Sequence, residues 1–145
     1  MEGKTEKAAN FANLIEKAAD LHGHLGPFLV LGVRMGETAK KILKTANLQV
    51  TAKLPLSTPF SCVLDGIQVT TQCTIGNQKL KIENSSEEIS AKFQCIKTDK
   101  TLTITVNPKI TEDLMKKFSK GFSNEELAWE IARTPENQLF TVKKQ

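Results

Sequence analysis

The order of apolar and polar residues predicts a helix at the start of the chain. Apolar residues recur there at steps of three and four, the spacing of one face of an amphipathic helix, at Phe11, Leu14, Ile15, Ala18 and Leu21. Gly23 is placed to end this helix because glycine adopts a positive φ without strain. The pattern therefore predicts that the first helix stops beside residues 22–24.

A second helix is predicted to follow at once. Pro27 suits the first turn of a helix, because its missing amide donor is not needed there. We expect this helix to run to about residue 45. Gly32 and Gly36, four residues apart, leave a groove on one side of it. These small residues predict close packing of the helix against another element.

From residue 48 the period changes to two, which predicts a half-buried strand. Leu48, Val50, Ala52 and Leu54 alternate with polar residues until Pro55 ends the run. After a loop over residues 56–60, Ser61 is expected to cap a short helix over residues 62–71.

The remaining pattern predicts an antiparallel meander followed by helices. Three strands are expected over residues 80–83, 89–97 and 101–107. Thr111 is expected to start a helix that ends near Gly121, and residues 123–126 form a capping-box pattern for another helix that ends before Pro135. Residues 138–142 are predicted to form a last strand. No repeat, low-complexity tract or linker divides the chain, so we expect a single domain over residues 1–145.

Composition narrows the possible functions. The net charge of +4 comes from 20 basic and 16 acidic residues that are scattered along the chain, with no tyrosine and one tryptophan, so we expect no nucleic-acid partner. The charged start lacks an apolar signal region, and the most apolar stretch, residues 27–33, is far shorter than the ~20 residues of a membrane span. Three cysteines indicate reduced thiols rather than a disulfide framework. We expect a cytoplasmic protein without a membrane partner.

The two histidines are the first candidates for chemistry. His22 and His24 flank one glycine and are the only histidines in the chain. Imidazole binds metals and exchanges protons near neutral pH. With the thiolates of Cys62 and Cys73 they would form a tetrahedral nitrogen and sulfur site suited to zinc. The alternatives are that one imidazole caps the end of the first helix, and that the cysteines are small core residues.

Two further residues bear on this set. Asp65 lies one turn after Cys62 and could orient a histidine or act as a base, although an exposed helix carboxylate is the common case. Cys95 is in phase with Phe93 on a predicted strand, so we expect it in the core and outside the site.

Four motifs together resemble the E-subunit family of formylmethanofuran dehydrogenase. They are the strings HGHLGP over residues 22–27, LGVRMG over 31–36, SCVLDGIQV over 61–69 and QCTIG over 72–76. Residues 125–142 are also similar to the tail of that family. The resemblance implies an α+β fold with helices packed against a mostly antiparallel sheet, and a metal, usually zinc, bound by histidine and cysteine.

The chain departs from the family pattern at two places. Many members have a cysteine where this chain has Gly26. Longer members also append a cysteine-rich module similar to a zinc ribbon, which these 145 residues do not contain. The resemblance is therefore to the core domain.

Three hypotheses follow. The first is a zinc-binding domain, linked to redox or one-carbon metabolism, in which His22, His24, Cys62 and Cys73 hold the ion and leave a position for water or an unidentified small molecule, with Asp65 moving a proton. The second is a non-catalytic accessory subunit that docks a molybdenum or tungsten oxidoreductase. The third is a metal-free pair of Cys62 and an imidazole. The glycine face of the second helix also predicts a homodimer.

Overall fold

One face of a five-stranded sheet is buried under the helices. The computed structural model describes the backbone of residues 2–145 and the side chains of residues 9–145. Along this part of the chain the elements are α1 (Glu2–His22), α2 (Pro27–Leu43), β1 (Leu48–Leu54), a 3₁₀ turn (Phe60–Cys62), α3 (Val63–Thr71), β2 (Leu80–Asn84), β3 (Ser90–Cys95), β4 (Thr101–Val106), α4 (Pro108–Ser119), α5 (Asn124–Arg133), α6 (Glu136–Leu139) and β5 (Phe140–Lys144). The α+β class is thereby confirmed.

The strand order is β2-β1-β3-β4-β5. All neighbouring strands are antiparallel except β1 and β2, which are parallel, with Val50 opposite Leu80. The predicted meander is therefore correct for β3, β4 and β5. It is wrong for β2, which pairs with β1 after the α3 crossover and does not pair with β3.

Alternation along β1 decides which face of the sheet is covered. Leu48, Val50, Ala52 and Leu54 are buried, while the residues between them are partly or fully exposed. This is the pattern of a strand with one face on the core and one in water. The predicted strand is confirmed at both ends.

The second helix packs against the third through glycine. A Cβ at Gly32 would lie 2.0 Å from the carbonyl oxygen of Val63, and one at Gly66 would lie 2.2 Å from that of Leu29. These separations are far below any van der Waals contact, so the two backbones touch. The close packing predicted from Gly32 is confirmed, and it fixes α3 against α2.

Several predicted boundaries are wrong. Leu21 is 58% exposed, because α1 has already passed the core at that point. Ser61 does not cap α3, which begins after the 3₁₀ turn without a side-chain cap. Helix α4 begins at Pro108, where the side chain of Asn107 accepts a hydrogen bond from the amide of Lys109, rather than at Thr111.

The C-terminal end differs too. A helical turn, α6, occupies part of the predicted strand over residues 138–142, and β5 runs later along the chain. No helix in the described part of the chain is long and apolar enough to cross a membrane.

Candidate functional site

The turn after α1 brings the two histidines together. Helix α1 ends at His22, where the amide of Gly23 donates to the carbonyl of Ala19 at 2.8 Å. Gly23 has a φ of +99°, which reverses the chain direction. His24 is thereby folded back, and its ring centroid lies 4.7 Å from that of His22 with the planes tilted by 40°.

Asp65 holds one side of the His22 ring. It lies in the first turn of α3, and its Oδ2 is 2.7 Å from Nδ1 of His22. An ionised carboxylate only accepts hydrogen bonds, so Nδ1 carries the proton and donates it. Oδ1 of the same carboxylate accepts from Nε2 of Gln68 at 3.1 Å. Both carboxylate oxygens of Asp65 are therefore engaged.

The other side of the His22 ring is buried without a partner. Nε2 is shielded from solvent and, among the described residues, has no hydrogen-bond partner. Leaving a buried polar atom unpaired costs about 1–3 kcal/mol. This ring does not cap the end of α1, as one alternative expected, since its nitrogen bonds the carboxylate of another helix.

His24 faces a gap at Gly26. A Cβ at Gly26 would lie 3.6 Å from Nε2 of His24 and 3.1 Å from Oδ1 of Asn124, the first residue of α5. His24 itself is exposed. No local pattern joins Asn124 to the histidines, because its position in the sequence indicates only part of a helix cap.

Cys62 lies at the same end of α3 as Asp65. Its side chain is 8% exposed. Burial raises the pKa of the Cys62 thiol, and the negative charge of Asp65 raises it further. The thiol is consequently kept protonated at neutral pH, contrary to the thiolate expected at this position.

Cys73 lies at the opposite end of α3. The helix between the two cysteines has nine residues, so it separates them by about 13 Å. The thiol of Cys73 is buried and donates to the carbonyl of Leu48 at 3.0 Å. Within the residues described, no three histidine, cysteine or acidic side chains converge as a metal requires. The structure therefore does not assemble the four ligands expected from the sequence.

Cys95 is 6% exposed at the end of β3, which confirms its expected place in the core. A cleft of about 790 Å³ lies elsewhere, between α1 and α2, and its lining includes Lys17, Arg34 and Glu37 but neither histidine. The paired rings, Asp65 and the gap at Gly26 are thus the candidate site.

Comparison with known proteins identifies the family. The family model described as "FmdE, Molybdenum formylmethanofuran dehydrogenase operon" matches residues 21–142. The chain belongs to this family. The matched range includes both histidines, Asp65, Gly26 and Asn124, so the whole candidate site lies in the family domain.

Two known proteins show the extent of the similarity. A probable S-adenosyl-L-methionine-binding protein of Archaeoglobus fulgidus is 34% identical over 76 residues, which are 50% of this chain and 21% of that protein. The chain thus spans about a fifth of the length of this curated relative. The crystal structure of an FmdE-like protein of the tungsten formylmethanofuran dehydrogenase type, from Syntrophus aciditrophicus, has a TM-score of 0.69 at 17% identity, over 93% of this chain and 71% of that one. At this identity the similarity establishes the fold.

Proposed function

We propose that this member of the FmdE family is a metal-binding domain in which His22 and His24 hold a transition-metal ion, zinc before others. The observation that supports this most is the buried, unpartnered Nε2 of His22 opposite a hydrogen-bonded Nδ1. Zinc supplies Lewis-acid chemistry when bound.

The hydrogen bonding of His22 fits a metal ligand. In a neutral imidazole with the proton on Nδ1, Nε2 has a free lone pair. Histidines that bind metals commonly donate their other ring N–H to a carboxylate, which fixes the tautomer and the direction of the ring. A cation at Nε2 would also remove the cost of leaving this atom unpaired in the interior.

Asp65 acts in this proposal through His22. Its two oxygens already accept from His22 and Gln68, so it is placed to hold the imidazole rather than to take a proton from a distant group. We therefore keep Asp65 as a positioning residue. The thiols of Cys62 and Cys73 are left out of the centre, because neither converges with both imidazoles.

Zinc and cobalt titrations of the purified protein test the proposal. We expect one ion per chain, and we expect His22→Ala and His24→Ala each to lose it. Cys73→Ser is the matched control, because Cys73 is a buried side chain outside the proposed centre, and it should bind the metal as the parent does. Tight binding retained in both histidine variants, or no binding by the parent, would contradict the proposal.

A second candidate is an accessory subunit that docks an oxidoreductase, with or without a metal. Two large apolar side chains favour it, since Phe122 and Trp129 are 44% and 42% exposed beside and on α5. Co-purification with the dehydrogenase subunits tests this candidate, and Trp129→Ser should abolish the complex. Sedimentation of the protein alone tests the homodimer that the sequence predicts.

A further inference from the structure

The proposed centre needs another protein donor. Catalytic zinc sites usually have three protein ligands, and structural sites have four. The two imidazoles supply two of them. Asp65 is engaged with the far side of His22, and in the described part of the chain no third histidine, cysteine or acidic side chain joins the pair. A further donor must therefore be a residue of another type.

The gap at Gly26 indicates which residue this is. Nε2 of His24 and Oδ1 of Asn124 both lie within 3.6 Å of the point where a side chain at residue 26 would begin. Asn124 is held there by the start of α5. The hydroxyl of Ser123 accepts from the amide of Glu126 at 3.1 Å, and the carboxylate of Glu126 accepts from the amide of Ser123 at 3.1 Å.

We infer that Asn124 is the third residue of the metal centre, its side-chain oxygen facing the ion that His22 and His24 hold. The inference rests on the proposed function. Two imidazoles and an amide oxygen form a harder donor set than the nitrogen and sulfur site expected from the sequence. Such a set suits Zn²⁺, Co²⁺, Ni²⁺ and Fe²⁺ and lacks the thiolate that selects Cu⁺.

The absence of a side chain at residue 26 makes room for this arrangement. Gly26 has φ −143° and ψ 166°, an extended conformation that any residue adopts. Alanine would therefore fit the backbone, but its Cβ would lie 3.1 Å from the Asn124 oxygen and crowd it away from His24. Gly26→Ala consequently tests the space without straining the chain.

Cobalt titrations followed by absorption test the inference. Asn124→Asp replaces the amide oxygen with a charged oxygen of the same size, so we expect it to tighten Co²⁺ binding at least about tenfold and to alter the visible spectrum. Asn124→Ala and Gly26→Ala should each weaken binding by about tenfold or more. Asparagine and aspartate are both compatible with the first turn of a helix, so Asn124→Asp should fold normally.

Three controls separate a ligand from a general effect. Asn137→Ala changes an exposed asparagine elsewhere, and Gly76→Ala adds a Cβ whose nearest neighbour is 3.8 Å away. Both should bind cobalt as the parent does. Glu125→Gln removes a charge beside Asn124, and an effect on affinity equal and opposite to that of Asn124→Asp would show that charge alone acts, which would overturn the inference.

The outcomes also distinguish this inference from the proposed function. If His22→Ala loses cobalt while Asn124→Asp and Asn124→Ala bind like the parent, Asn124 is not part of the centre although the histidine site stands. If the parent binds no cobalt, both fail together.

Discussion

Gly66→Ala should destabilise the protein even though alanine is the better helix former. The added Cβ would lie 2.2 Å from the carbonyl oxygen of Leu29 and 2.6 Å from the amide nitrogen of Val33, both of which are backbone atoms of α2. Neither can rotate away, so α2 and α3 must separate by roughly 1 Å, and such overpacking typically costs about 1–3 kcal/mol. Helix propensity returns about 0.8–1 kcal/mol. Because the clash is with backbone on both sides, we expect the overpacking cost to exceed this return, with a net loss of about 1–2 kcal/mol in the free energy of unfolding.

Urea unfolding monitored by circular dichroism and by fluorescence of Trp129, the single tryptophan, measures this loss. Gly76→Ala is the control, since it adds the same methyl group without a close neighbour. Gly66→Ala should also weaken metal binding, because the shift moves the adjacent Asp65 away from His22. If Gly66→Ala were as stable as Gly76→Ala, or more stable, the reasoning on direct backbone contact would be wrong.

Three further changes test other parts of the structure. Asp65→Asn should lower zinc affinity by about 10–100-fold in a competition titration, because the amide no longer fixes His22 as the carboxylate does, and unchanged affinity would contradict that role. Burial alone would raise the pKa of Glu136, but its hydrogen bond from Thr38 and its ion pair with Lys41 outweigh this and hold the pKa below its ordinary 4.5, so the carboxylate stabilises the fold at neutral pH. Glu136→Gln should therefore cost about 0.5 kcal/mol at pH 7, a small value because the side chain is 35% exposed, and urea unfolding should show the difference vanish as the pH falls below 4.5. Ser123→Ala should cost about 1 kcal/mol by removing the cap of α5, and a thermal melt identical to that of the parent would refute this.

Local patterns predict the elements better than their partners. The alternation over residues 48–54 identifies β1, because burial of one face of a sheet imposes a period of two. The same alternation says nothing about the neighbour of a strand, so it does not predict the parallel pairing of β1 with β2. The turn α6 escapes prediction because four residues are too few for a helical period to show.

The candidate site is predictable in part for similar reasons. His22 and His24 are close in sequence, and Gly23 fixes the turn between them. Their joining to Asp65 depends on how α1 and α3 pack, which the local pattern does not specify. Helix length alone separates Cys62 from Cys73, because both flank one short helix. Asn124 lies far along the chain from the histidines, and only the fold brings it near.

Nitrogen NMR of the two histidines, assigned with the His24→Ala variant, tests the central claim most directly. The account predicts that in the parent protein Nδ1 of His22 carries the proton, and that equimolar zinc shifts the Nε2 signal while Nδ1 stays protonated. A proton on Nε2 of His22, or an Nε2 signal that zinc leaves unchanged, would contradict it.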